Sequence, residues 1–205
     1  MARFLTIAGP GEGTVREKMS RFLAFAFPAT TAEEAKAVVQ RMTNEYHDAR
    51  HVCWAYMVGA DRLTFLSSDN GEPSSTAGKP ILGQINSLGL TNVVVVVVRY
   101  FGGIKLGTSG LIVAYREAAR LALEDAGTVA GREMGRLVLT FPYMAMNQVM
   151  SLVKGYAARE PVGIASQSFD NTCRLELDVP LDILPEVSGR LEAVSGTSVL
   201  PPENL

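Results

Sequence analysis

Two glycine-rich loops are the part of the chain whose residue types could bind a ligand. The first covers residues 69–79, and the second covers residues 102–110, which read Gly-Gly-Ile-Lys-Leu-Gly-Thr-Ser-Gly between a predicted strand and a predicted helix. Free backbone N–H groups at the start of a helix attract anions, and glycine lets the backbone approach a ligand closely. The loops are therefore a candidate anion-binding region, although glycines that only form tight turns would leave the same composition.

Charged and aromatic side chains flank both loops. Lys79, Arg99 and Lys105 place positive charge beside them, and Tyr100 and Phe101 carry rings on which a base or ribose could stack. Packing in the core is the alternative explanation of the two rings, and the composition favours it. The candidate nucleic-acid-binding residues are Arg99, Tyr100, Lys105, Lys79, Gly102 and Gly103.

Two further groups of side chains could bind a metal, and we expect neither to do so. His47, His51 and Cys53 lie close together in sequence, but a helix end and the start of a strand separate them, so capping or hydrogen bonding is favoured over zinc. Asp69 and Glu72 are closely spaced acids, whose expected work is turn formation and helix capping. The sequence thus predicts no metal site and no cofactor.

The composition is that of an ordinary folded protein. Of 205 residues, 47% are hydrophobic and 20% are charged, which excludes disorder over most of the length. With 19 Lys and Arg against 21 Asp and Glu, the net charge of −2 excludes a strongly basic nucleic-acid binder. Residues 1–131 carry a net charge of +1 and residues 132–205 one of −3, so nucleic-acid binding would need a local patch on the first part.

A cytoplasmic location is expected. The two cysteines, Cys53 and Cys173, lie far apart, which suits a reducing compartment, and the first residues lack the pattern of a signal peptide. The longest purely apolar run is the six valines at 93–98, whereas a membrane helix needs about 20 apolar residues. We therefore expect no membrane span.

The elements of the first part must position the loops. Strands are predicted at 21–27, 52–59, 62–67 and 93–101, and helices begin at Thr31, Thr76 and just after the second loop. Thr31 and Glu34 form a capping box, and the valine strand is predicted to be buried on both faces because its residues do not alternate. A linker is predicted at 127–131, where glycine punctuation replaces the helical pattern.

The second part, residues 132–205, has the predicted order strand, helix, strand, strand, helix, strand. The segments are 136–141, 144–158, 161–169, 173–179, 181–195 and 197–200, followed by a loose tail at 201–205. This βαββαβ order is the ferredoxin-like plan. The fold class is therefore α+β, with two two-layer α/β sandwich domains at 1–131 and 132–205.

The loops resemble the signature of the IMPACT/YigZ family. The resemblance rests on Gly-Glu-Pro-Ser-Ser-Thr-Ala-Gly-Lys-Pro-Ile-Leu at 71–82 and on the run from 95 to 111, and it extends to 19–22, 47–53 and the acidic second domain. Asn70 stands where the family usually has aspartate, which removes a carboxylate and weakens any acidic metal site. Ser109 stands where the family usually has glycine.

The resemblance implies both a fold and a field of action. It implies a first domain like the second domain of ribosomal small-subunit protein five and domain IV of elongation factor G, and a second domain like domain V of that factor. The family is linked to translational control, and its eukaryotic members restrain a stress kinase that acts on an initiation factor. The expected function is a non-enzymatic, translation-associated regulator that binds RNA or the ribosome through the cationic, glycine-rich surface.

Two alternatives remain open at the level of the sequence. One is a stress regulator that binds a protein partner, for which the sheet of the second domain would be the surface. The other is a serine–lysine hydrolase of Lon-like fold, with Ser74 or Ser75 as nucleophile and Lys105 as base. The second alternative requires burial or a nearby cation to lower the proton affinity of the lysine. The oligomeric state is unknown.

Overall fold

A computed structural model describes residues 3–200, and the chain divides after Gly131 into two compact units. The tail predicted to be loose, 201–205, lies outside the described residues. The elements of the first unit are β1 (Arg3–Ile7), β2 (Gly11–Glu17), β3 (Ser20–Pro28), α1 (Ala32–Glu45), β4 (His51–Val58), β5 (Thr64–Ser68), α2 (Gly78–Ser87), β6 (Val93–Tyr100), α3 (Gly107–Ala126) and β7 (Thr128–Arg132). The prediction of a mixed chain of helices and sheets is confirmed.

The first unit is built around the valine strand β6. It lies at the centre of a five-stranded sheet of order β2-β3-β6-β4-β5, in which each neighbouring pair is antiparallel. All six valines at 93–98 have no exposed surface, which confirms the predicted burial on both faces. Successive residues of a strand point to opposite faces, so these valines supply two separate cores.

Helices cover both faces of this sheet. Val93, Val95 and Val97 share a core with α2 and α3, whereas the three valines between and after them share a core with α1. The first unit thus has three layers, and the expectation of a two-layer sandwich is wrong for it. The physical reason lies in β6, because a strand that is apolar on both faces needs a cover on each.

The predicted linker at 127–131 is instead strand β7, which pairs with β1 in a two-stranded sheet. Gly127 ends α3 with a φ of +66°, a conformation that favours glycine, and a Cβ on Gly131 would lie 2.3 Å from the ring of Phe4. These glycines mark a sharp helix end and close packing. The prediction of a linker is therefore wrong. Strand β2 was not predicted, and its Gly11 and Gly13 pack closely against α3.

The second unit has the predicted βαββαβ order. Its elements are β8 (Met134–Pro142), α4 (Met146–Ala157) after a short 3-10 helix, β9 (Gly163–Ser168), β10 (Thr172–Pro180), α5 (Leu184–Glu192) and β11 (Ser198–Leu200). The sheet has the order β11-β8-β10-β9 with antiparallel neighbours, and both helices pack on one of its faces around a single core. Across residues 3–200, none of the helices has the length and apolar character that a membrane crossing requires.

Candidate functional site

The first glycine-rich loop is folded around the side chain of Asp69. Its carboxylate accepts hydrogen bonds from the backbone N–H groups of Ser75 (2.8 Å), Ala77 (3.0 Å) and Gly78 (2.8 Å). The N-cap residue of α2 is Ala77, which has no side chain to cap the helix, so an acid from upstream does that work. The predicted capping role of Asp69 is confirmed.

These bonds decide the charge state of Asp69. Burial acts to raise the pKa of its carboxyl group, but the three backbone N–H donors and the nearby Lys79 outweigh it, so the pKa lies below its ordinary value. Asp69 is therefore a carboxylate at neutral pH, and it holds the loop to the start of α2.

Glu72 takes part in the predicted turn, but its side chain does not cap a helix. Its backbone N–H closes a turn onto the carbonyl of Asp69, but its side chain turns inward and forms an ion pair with Arg99, with Oε1 and Nη1 2.7 Å apart. Glu72 is 9% exposed and Arg99 is 5% exposed, so this is a buried pair. Burying one charge without the other would be strongly unfavourable, which is why the two are brought together.

Further buried groups extend this pair into a network. The Tyr115 hydroxyl on α3 donates to Glu72 Oε1 at 2.8 Å, and Cys53 Sγ lies 3.3 Å from the Tyr115 oxygen and 2.9 Å from the carbonyl oxygen of Asp69. Arg99 Nη2 lies 3.4 Å from the Ser20 hydroxyl, to which it donates. Burial raises the pKa of Cys53 to about 12 and raises the pKa of Tyr115 as well. Both groups are therefore neutral at physiological pH.

The two histidines each contact a backbone carbonyl. His51 Nδ1 lies 2.9 Å from the carbonyl oxygen of Asn70, which can only accept, so this nitrogen carries a proton and Nε2 faces Glu72 Oε2 at 3.8 Å. His47 Nδ1 lies 3.3 Å from the carbonyl of Asn44. Within the described part of the chain, no group of three or more His, Cys, Asp or Glu side chains is arranged to hold a metal ion.

A cleft of about 460 Å³ opens beside this network, and we call it the α3 cleft. Its polar lining consists of the side chains of Arg50, His51, Glu72, Arg99 and Lys105 together with Gly107 and Thr108 at the start of α3. Its apolar lining consists of Pro73, Phe101, Leu106 and Leu111. The cleft thus joins the ends of β6 and the first loop to the beginning of α3.

The electrostatics of the α3 cleft favour an anion. The N-cap residue of α3 is Leu106, no side chain caps the helix, and its first turn contains no acid. Such a helix start carries a partial positive charge of about half a unit. Arg50 and Lys105 are exposed, and among residues 3–200 the salt bridges include neither of them, whereas the charge of Arg99 is balanced by Glu72.

The structure brings only some of the predicted site residues together. Arg99 and Lys105 line the α3 cleft, but Tyr100 follows Arg99 in β6 and so lies on the opposite face of the sheet, with the core around α1. There its hydroxyl donates to Asp48 at 2.9 Å, and the Arg21 guanidinium lies 4.9 Å from its ring centroid. Lys79 is exposed in the first turn of α2 and is not part of the cleft lining.

The two candidate glycines also differ. A Cβ on Gly102 would lie 2.1 Å from the carbonyl carbon of Met19, so this glycine is needed for the close approach of two backbone segments. Gly103 has a φ of +88°, a conformation that favours glycine, and it is not among the residues that line the cleft. Close packing therefore explains Gly102 and backbone conformation accounts for Gly103, while a ligand contact of Gly103 stays a prediction.

The serine–lysine arrangement finds no geometric support. Lys105 is exposed, whereas a lysine base needs burial or a nearby cation to lower its proton affinity. Within the described residues no hydrogen bond joins Lys105 to Ser74 or Ser75, and the Ser75 backbone is engaged with Asp69. Ser74 and Ser75 are not among the residues that line the cleft.

Sequence reasoning missed Arg50, Tyr115 and Ser20 as members of the site. Ser20 and Tyr115 come from distant elements, 79 residues before and 16 residues after Arg99, and only the fold brings them together. One signal was available: an arginine directly after six buried valines needs a buried counter-charge, and Asp69 and Glu72 are the acids of the adjacent loop.

Comparisons with known proteins agree with the resemblance of the loops. The Impact N-terminal domain family matches residues 18–123. The chain is 37% identical over 155 residues to the IMPACT family member YigZ of Escherichia coli (strain K12), covering 75% of this chain and 76% of that protein. It is 35% identical over 186 residues to an IMPACT family member of Haemophilus influenzae, covering 89% and 88% of the two chains. A crystal structure described as that of a hypothetical protein matches all of both chains, with 32% identity and a TM-score of 0.74. This chain belongs to the IMPACT family.

Proposed function

We propose that this protein is a non-enzymatic, translation-associated regulator of the cytoplasm, and that it binds RNA or the ribosome through the α3 cleft. Membership of the IMPACT family supports the link to translation. The observation that carries the proposal is the convergence of Arg50 and Lys105, which form no salt bridge within residues 3–200, with the uncapped start of α3 on a single cleft. Two cations beside a helix start are a typical binding site for phosphate, which is the anionic group of RNA.

The roles of the site residues follow from their surroundings. Lys105 and Arg50 are free to meet phosphate oxygens, and the N–H groups at the start of α3 would donate to the same phosphate. Arg99 lines the floor of the cleft and is held in place by Glu72 and Ser20. Gly103 lets a nucleic-acid backbone approach, and Lys79 would contact a neighbouring phosphate of a longer ligand.

The low net charge of the protein sets the expected character of this binding. A protein that neutralises only a few phosphates releases few counterions, so its affinity for single-stranded RNA falls gently with salt, by about 0.7 of a logarithmic unit per contact and per tenfold change in salt. We therefore expect binding that is detectable at low salt and weak at physiological salt.

The proposal is tested by filter-binding titrations against single-stranded RNA and isolated ribosomal subunits at low salt. We expect Lys105→Glu to weaken binding by about tenfold or more, because it places a negative charge beside the phosphate. Lys36→Glu is the matched control, because Lys36 is an exposed lysine on α1, which covers the other face of the sheet. The proposal would be contradicted if the two variants lowered the affinity equally, or if the unaltered protein bound neither RNA nor ribosomal subunits.

A second candidate function is a regulator that binds a protein partner through the second unit. The observation that favours it is β9, which forms an edge of the second sheet and is exposed at every residue, so its backbone could pair with an extended segment. Affinity purification with the full chain, compared with a chain carrying Ala165→Pro in β9, tests this. A partner that is retained equally by both chains would exclude this edge as its binding surface.

A further inference from the structure

The charge of the α3 cleft matches a particular kind of phosphate. Glu72 balances Arg99, which leaves Arg50, Lys105 and the helix start as positive groups without a counter-charge among the described residues. An internal phosphodiester carries one negative charge, whereas a phosphomonoester carries about 1.5 to 2 at neutral pH. Two free cations and a helix start together complement the dianion better than the monoanion.

Arg99 provides a second observation that points to a ligand. It lines the cleft and is 5% exposed, yet its buried Nε has no hydrogen-bond partner within the described residues. Its Nη1 and Nη2 donate to Glu72 and Ser20, so the guanidinium is fixed while the Nε–H is left without an acceptor within the described residues. A buried donor without an acceptor costs about 1–3 kcal/mol, and a ligand oxygen that reached Nε would remove this cost.

The size and the apolar lining of the cleft indicate what the phosphate is attached to. About 460 Å³ is within the usual range of small-molecule sites and suits one nucleotide. Phe101 is 44% exposed, and Pro73, Leu106 and Leu111 complete the apolar part of the cleft lining. A planar base or a ribose would contact these apolar residues, with Phe101 as the ring on which it stacks.

We propose that the α3 cleft recognises a phosphomonoester carried on a nucleoside, which is the chemistry of an RNA end bearing a terminal phosphate and of a free nucleotide. This inference rests on the proposed function and deepens it, because it names the group that the same cleft selects. The start of α3, Lys105 and Arg50 would hold the phosphate, Arg99 Nε would donate to an oxygen at the floor, and Phe101 would contact the base.

The test compares short RNAs of one sequence that differ only at their ends. Fluorescence anisotropy at one fixed low salt concentration would measure binding of an oligonucleotide with a 5′-terminal phosphate, one with a 3′-terminal phosphate and one with hydroxyl groups at both ends. Adenosine 5′-monophosphate, adenosine and inorganic phosphate serve as competitors. We expect one of the phosphorylated ends to bind about tenfold tighter than the hydroxyl ends, and adenosine 5′-monophosphate to compete better than adenosine.

The variants assign this preference to the cleft. Lys105→Gln and Arg50→Gln should each reduce the preference for the phosphorylated end to near one, whereas the control Lys36→Gln should keep it. If the affinity for adenosine 5′-monophosphate, measured by competition, equals the affinity for the phosphorylated RNA, the occupant is a free nucleotide. If that affinity is lower, the occupant is an RNA end.

Three results would overturn the inference, and they are distinct from a failure of the proposed function. The first is that the unaltered protein binds phosphorylated and hydroxyl ends equally and that adenosine 5′-monophosphate and adenosine compete equally. RNA binding itself would still stand in that case. The second is a preference that persists in both Lys105→Gln and Arg50→Gln. The third is competition by inorganic phosphate equal to that by adenosine 5′-monophosphate, because the apolar lining would then contribute nothing. Selective nucleotide binding without any RNA binding would instead retain the inference and remove the proposed function.

Discussion

At the scale of single residues, the site depends on two carboxylates, and the one of Asp69 is held by backbone donors. It accepts hydrogen bonds from three backbone N–H groups at and just before the start of α2. We expect Asp69→Asn to lower the free energy of unfolding at about pH 7 by about 1–3 kcal/mol, because hydrogen bonds to a charged acceptor are replaced by weaker or mismatched ones.

The pH dependence of this effect has a definite sign. The folded pKa of Asp69 lies below its ordinary value, so the stabilisation is fully present above the unfolded pKa of about 3.9 and is lost as the pH falls through the folded pKa. Urea unfolding of the unaltered protein and of Asp69→Asn, measured from about pH 7 to about pH 2, should therefore show a difference in the free energy of unfolding that becomes smaller in acid. A difference that is constant over this range would contradict the assigned role.

The buried pair of Glu72 and Arg99 gives a second prediction at this scale. Glu72→Gln keeps an acceptor for Tyr115 but leaves the guanidinium of Arg99 buried without a counter-charge. We therefore expect the free energy of unfolding to fall by about 3–5 kcal/mol. Adding Arg99→Met to this variant removes the unpaired charge and should recover part of the loss. Chemical denaturation of both variants measures this, and a double variant that is no more stable than Glu72→Gln would contradict it.

At the scale of the elements, the clearest prediction concerns two glycines in the same unit. A Cβ on Gly102 would enter the backbone of Met19, whereas Gly83 within α2 has open space around it. We expect Gly102→Ala to lower the melting temperature and Gly83→Ala to raise it, since alanine in a helix is favoured over glycine by about 1 kcal/mol. Thermal unfolding of the two variants decides this, and equal shifts of the same sign would contradict the packing role of Gly102.

The sequence predicted elements better than it predicted surfaces. The capping box at Thr31, the buried valines and the βαββαβ order depend on local pattern, and all are present. Strand alternation separates Arg99 from Tyr100, a consequence that was implicit in the predicted strand but not drawn from it. The partnership of Arg99 with Tyr115 and Ser20 depends on which distant segments meet, and periodicity does not carry that information.

At the scale of the whole molecule, the small net charge conceals an uneven distribution. The residues up to 131 carry +1 and those from 132 carry −3, and in the second unit the charges of the open sheet face are paired with each other, as in Arg136 with Asp178 and Arg174 with Glu176. What distinguishes Arg50 and Lys105 from other exposed cations of the first unit, such as Lys36 and Arg116, is that they line one cleft together with the uncapped start of α3. This supports attraction of an anion to one place on the first unit rather than general adhesion to nucleic acid.

The most direct test of this account is the salt dependence of RNA binding by the full chain and by two double variants of equal net charge. Arg50→Gln with Lys105→Gln removes both free cations of the cleft, and Lys36→Gln with Arg116→Gln removes two exposed cations from elsewhere. We predict that the cleft variant loses binding and that the control keeps both the affinity and the salt dependence of the unaltered protein. Equal loss in the two variants, at unchanged stability, would contradict it.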